Sequence, residues 1–183
     1  MSAIVRCSRL RAVWWRTRHR SRRRTSGDRA VPAVLRSGDP VRILFALEIL
    51  VAWERALPLT NVHPLLEHAD RAIRIQAIRL APLVPLTPEN RSAVVRALLD
   101  DDREIFTVAS LAAGRLKLQE ALPTLARCLR TGGAELARKA AAALAEMPPR
   151  GWETLAELSV NSSPVTASAA AEALERARRE AGV

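Results

Sequence analysis

Apolar residues recur along this chain at a nearly fixed interval. Val41, Ile73, Ile105, Leu136 and Val165 are separated by 32, 32, 31 and 29 residues. Four residues after each stands Phe45, Ala77, Ala109, Ala140 or Ala169. About eight after each stands Ile49, Ala81, Ala113, Leu144 or Ala173. Offsets of four and eight place side chains on one stripe of an α-helix. The series therefore predicts one amphipathic helix written five times.

A second series lies between these copies. It runs through Ala30-Val31-Pro32, Val62-His63-Pro64, Ala93-Val94-Val95 and Ala121-Leu122-Pro123, and ends at Trp152-Glu153. Proline is tolerated in the first turn of a helix, where its missing N–H has no intrahelical partner, so these segments read as starts of second helices. Asp39, Asp70, Asp102 and Ser163 stand where N-caps of first helices are needed, and Thr87-Pro88-Glu89 opens a second helix the same way. Gly38 and Gly132-Gly133 read as stops. Each unit is then two helices of about 10–15 residues. One such pair cannot bury both of its apolar faces, so pairs must stack.

Composition points the same way. The chain is 49% hydrophobic but only 3% aromatic, with no Tyr, and its apolar residues are mostly Ala, Leu and Val, which suit closely packed helices better than a sandwich of strands. The expected fold is all-α, a right-handed α-solenoid of stacked antiparallel helix pairs with about ten helices. The expected layout is a basic tail at 1–27, a half repeat at 28–38, repeats at 39–69, 70–101, 102–132 and 133–162, and a capping helix at 163–183 that ends in a polar run around Glu175, Arg176, Arg178, Arg179 and Glu180.

At Asp39-Pro40-Val41-Arg42, Ala72-Ile73-Arg74-Ile75-Gln76-Ala77 and Ala121-Leu122-Pro123-Thr124-Leu125 the chain resembles a HEAT-repeat protein. The likeness is to the short, armadillo-like bacterial type also found in phycobilisome-lyase-like proteins, and it covers roughly residues 28–183. It implies a fold and a curved binding surface, not a reaction. The arginine after the anchor, present as Arg42 and Arg74, is replaced by Phe106, Ala137 and Thr166 in later copies, which interrupts any continuous charged ladder.

Charge adds a separate feature. The formal net charge is +10, yet residues 1–24 hold nine arginines and no acid, while residues 25–183 hold 20 basic and 19 acidic residues. Arg6, Arg9, Arg11, Arg16, Arg18, Arg20, Arg22, Arg23 and Arg24 are interleaved with Trp14 and Trp15. Arg16, Arg18, Arg20, Arg22, Arg23 and Arg24 are the candidates for an anionic partner, either nucleic acid or an anionic membrane. The alternative is a disordered tail with no role. Met1 to Arg11 lacks the apolar core of a secretory signal, whereas an acid-free Arg/Ser composition overlaps with organelle transit peptides. No stretch reaches the ~18 apolar residues of a membrane span. The expected location is cytoplasmic, or peripheral at the inner face of a membrane.

Other residues read more plainly. Cys7 and Cys128 are far apart with no metal spacing, which suits a reduced intracellular chain with Cys128 in a helix core. His63 and His68 sit five apart on one expected helix, whereas helical metal pairs prefer four; they read as polar residues of a groove. Asp100-Asp101-Asp102 with Glu104 reads as a turn and a cap, since it lacks the alternating ligands and glycine of a calcium loop. Trp53 and Trp152 read as packing residues. No G-x-S-x-G, P-loop, G-x-G-x-x-G or catalytic Cys–His signature occurs. The expected function is a non-enzymatic scaffold or adaptor that binds a protein in a groove lined by second helices, with contacts at His63, Glu67, Arg91, Arg96, Arg127 and Arg130, and with Glu157 farther along. No cofactor, metal or small-molecule substrate is implied. A lyase-like accessory protein is the remaining alternative.

Overall fold

The computed structural model describes residues 32–52 and 62–182. Contacts divide the chain into Met1–Ala33 and Val34–Val183, and the architecture below is that of the second unit. Among the described residues the chain is all-helical and contains no strand. Residues 32–35 are helical. Nine helices then follow: α1 Pro40–Ala52, α2 His63–Leu66, α3 Arg71–Leu80, α4 Pro88–Ala97, α5 Arg103–Arg115, α6 Leu122–Thr131, α7 Gly133–Ala145, α8 Arg150–Val160 and α9 Pro164–Ala181. Short 3-10 turns occupy Ala81–Leu83 and Gln119–Ala121.

The helix starts follow from local chemistry. Asp70 accepts hydrogen bonds from the backbone N–H groups of Ala72 and Ile73, and Asp102 from those of Glu104 and Ile105. Asp39 Oδ1 accepts from Val41 and Arg42. Thr87 caps α4 through Asn90, and Ser163 caps α9 through Thr166. Each of these side chains satisfies donors that have no partner inside the helix. Between α6 and α7 the turn is compressed to Gly132, and Gly133 opens α7 with φ +73°, a conformation that disfavours a side chain.

Packing follows the order of the chain. α1 packs on α3, α3 on α5, α5 on α7 and α7 on α9, while α2, α4, α6 and α8 pack against α3, α5, α7 and α9 respectively. Like ends of α5 and α7 lie together, since a Cβ added at Gly114 would come within 3.0 Å of the carbonyl oxygen of Ala143. The core is built from Leu47, Ile73, Ile78, Leu80, Ile105, Leu118, Leu125, Leu129, Leu144 and Leu155, all sealed from solvent, with alanines between them.

Three expectations are corrected here. The anchors Val41 and Val165 are exposed, at 76% and 53%, as is Phe45. The buried stripes of these helices begin instead at Ile43, continuing to Leu47 and Leu50, and at Thr166. At 3.6 residues per turn, an offset of one or two residues swings a side chain ~100–200° round the helix, so a spacing that matches along the sequence still misses the buried face. The second helices are not all 10–15 residues long, because α2 is a single turn that ends before His68; His63 and His68 therefore do not share a helix. The second helix of the third copy begins at Pro88 behind its Thr87 cap, so Ala93-Val94-Val95 lies inside α4 and not at its start.

Candidate interaction surface

The expected groove residues fall on the second series of helices, and the structure brings four of the six into ion pairs. His63 opens α2, and its Nε2 lies 3.4 Å from Glu67 Oε2 at the α2 C-cap. The other oxygen of Glu67 accepts a hydrogen bond from Arg96 Nη2, in the last turn of α4. Arg91, one turn and a half earlier on α4, bonds Glu120 Oε1 at 3.2 Å in the 3-10 turn before α6. Arg127 and Arg130 stand exposed on α6 and form no ion pair with a described residue. Glu157 is likewise exposed on α8.

A cleft of about 180 Å³ opens beside the Glu67–Arg96 pair, lined by Leu66, Arg74, Ile78, Ala93, Ala97, Asp100 and Ile105 in addition to that pair. Arg74 is already engaged: its Nη1 donates to the carbonyls of His68 and Ala69, each at 3.0 Å. The cleft wall is thus apolar at its base and charged at its rim, with both signs present.

A further ion-pair cluster, absent from the sequence reading, ties α3 to α5. Arg71 donates from Nε and Nη2 to the two oxygens of Asp102, and from Nη2 to Glu104 Oε2 at 3.0 Å. Arg79 Nη2 approaches Glu104 Oε1 at 3.7 Å. The Arg71 guanidinium holds the Asp102 carboxyl well below the usual carboxylate range, and that pairing pushes Arg71 up in turn. Glu89 is also lowered, by hydrogen bonds from its own backbone N–H and from Thr87 at the start of α4. The signal for these pairs was present in the sequence as opposite charges about one interval apart: Glu67 with Arg96, Arg91 with Glu120, Arg71 with Asp102.

The hydroxyls of Thr107, Ser110, Thr131, Thr154 and Ser159 donate to carbonyls three or four residues back in their own helices. Cys128 is half-buried and free, and burial pushes its thiol up, away from the reactive thiolate. Asp100 accepts from the Asp102 N–H at 2.9 Å, so the acidic run builds a turn and a cap. Trp152 donates its indole N–H to the Ala145 carbonyl at 2.7 Å and packs half-buried. Among the described residues no group of three His, Cys, Asp or Glu could hold a metal ion, and no helix is long and apolar enough to cross a membrane. Cys7, Trp14, Trp15, Trp53 and the tail arginines, including Arg16, Arg18, Arg20, Arg22, Arg23 and Arg24, lie outside the described residues. No protein-family model matches the chain, and no curated protein matches it.

Proposed function

We propose that residues 28–183 form a HEAT-like α-solenoid that serves as a non-enzymatic scaffold, binding a protein partner on the surface of α2, α4, α6 and α8. The observation that carries this reading is the order of packing, in which each first-series helix lies on the next while the second-series helices pack against them. Stacked pairs of this kind generate an extended surface that grows with the number of units. The hydroxyls spent on their own helices and the mixed-charge cleft favour binding over a reaction. The test is affinity capture from the native cell, with the full chain and with a chain starting at residue 27, each washed at low and high salt. A partner held by both at high salt supports the scaffold. Partners lost with the tail or with salt assign the function elsewhere.

The second reading gives the function to the tail. Nine arginines without an acid within residues 1–24 favour it. Binding to duplex DNA should then weaken with a log–log salt slope near −0.9 per phosphate neutralised; a flat salt response rules it out. An anionic-membrane role requires co-sedimentation with liposomes that depends on acidic lipid.

A further inference from the structure

The N-terminal ends of α3 and α5 meet through Arg71 and Asp102, like ends of α5 and α7 lie together at Gly114 and Ala143, and Thr166 at the start of α9 donates to the Leu129 carbonyl at the end of α6. The last turns of α4 and α6 therefore share one edge of the stack with the start of α9, and the end of α8 reaches that edge through residues 161–163. This edge carries Leu99, Val160 and Val165, which are 59%, 78% and 53% exposed, together with the exposed Arg127 and Arg130 of α6.

The chain itself shows what such an arginine takes. Arg96, in the last turn of α4, reaches the carboxylate of Glu67, the C-cap residue of α2. Arg130 holds the same last-turn place on α6, but Glu67 stands three residues before the Asp70 cap, and the residue three before the Asp102 cap is the exposed, apolar Leu99. The carboxylate is missing at that step, and neither Arg127 nor Arg130 pairs with a described residue. We infer that this edge docks an acidic, amphipathic peptide segment of a partner protein, whose carboxylates meet Arg127 and Arg130 and whose apolar side chains cover Leu99, Val160 and Val165. Arginine pairs with carboxylates through a planar fork, and exposed aliphatic side chains favour an apolar partner over a phosphate backbone. Single-stranded nucleic acid binds by stacking on aromatic platforms, and among the described residues this edge has no exposed aromatic. The inference rests on the scaffold reading and names the chemistry of its partner.

The test uses the full chain, with fluorescence anisotropy at ~0.15 M salt. The probes are a labelled peptide of repeated Glu-Glu-Leu, its Gln-for-Glu counterpart, and a single-stranded oligonucleotide of equal charge. Arg127→Gln with Arg130→Gln should weaken the Glu peptide about fivefold or more. Arg178→Gln with Arg179→Gln, which removes the same charge from the last turn of α9, should leave it within about twofold. Leu99→Glu, which supplies the missing carboxylate within the chain, should weaken it as well. Equal losses in the two double variants, no loss in either, or a loss confined to the oligonucleotide overturn the inference. A partner captured from cells and retained undiminished by Arg127→Gln/Arg130→Gln overturns it while the scaffold stands; capture of no partner by any form removes the scaffold reading itself.

Discussion

The helices from α1 to α5 and those from α6 to α9 are held together by different means. In the first group, successive elements are bridged by long charged side chains: Arg71 to Asp102 and Glu104, Arg79 to Glu104, Glu67 to Arg96, and Arg91 onward to Glu120. Beyond Glu120 no ion pair joins two elements among the described residues. There the alignment comes from close approaches of backbone and small side chains around Leu125, Leu129, Leu144 and Leu155. α7 buries Ala137, Ala140, Ala141 and Ala143, and α9 buries Ala169, Ala170 and Ala173. Gly151 lies against the Leu144 carbonyl, and the Thr166 hydroxyl bonds the Leu129 carbonyl. Exposed ion pairs contribute little to stability, whereas small residues let helices approach until dispersion contacts dominate. The first group is thus aligned by its charges and stabilised by Ile73, Ile78 and Leu80; the second is aligned by close fit, which adds to the burial of Leu125, Leu144 and Leu155.

Breaking the fit should therefore cost far more than breaking a bridge. Gly151→Ala puts a Cβ 2.0 Å from the Leu144 carbonyl oxygen, a backbone atom that cannot swing aside. It should lower the unfolding free energy by about 3 kcal/mol in a urea titration, against any gain in helix propensity. Thr166→Val keeps the shape but strips the buried Leu129 carbonyl of its donor, and should cost about 1–2 kcal/mol by the same measurement. Arg96→Ala, on the bridged side, should fall within about 0.5 kcal/mol of the parent. A loss of more than 1 kcal/mol there would erase the contrast. The smallest effect is one of pH. Asp102 is depressed when folded, so its contribution is fully present above its unfolded value near ~3.9 and is lost as pH falls below that toward the folded value. Arg71→Gln should flatten the acid side of a plot of thermal midpoint against pH below about pH 4, and an unchanged acid limb would show that the bridge carries no linkage.

What could be read from the sequence divides along a related line. Caps at Asp39, Asp70, Thr87, Asp102 and Ser163 were legible because each acts on N–H groups two or three residues away, within the span of a local motif. The helical class was legible from Ala and Leu at helical spacing. The buried face of α1 was not, since Val41 keeps the interval while Ile43 takes the core position; interval and angle are separate properties of a helix. The partnerships of Glu67 with Arg96 and of Arg91 with Glu120 are present in the sequence only as opposite charges about one interval apart. By charge alone they read as surface contacts, whereas the structure spends that charge within α2 and between neighbouring elements. Arg130 sits on α6 as Arg96 sits on α4, and Leu99 stands where Glu67 would be needed, a difference that becomes visible once the helix ends are known.

Asp102 closes the start of α5 and at the same time receives Arg71 from the start of α3. The segment 70–101 begins with the same dipeptide order, Asp70-Arg71, that recurs at Asp102-Arg103. A tandem duplicate of 70–101 would therefore present its own leading aspartate to the arginine of the copy before it, and its own arginine to Asp102. Both contacts to Glu104, from Arg71 and from Arg79, would be lost at the new junction, where Ala72 stands in its place. A chain lengthened in this way by one unit would keep the aspartate–arginine bridge at every junction.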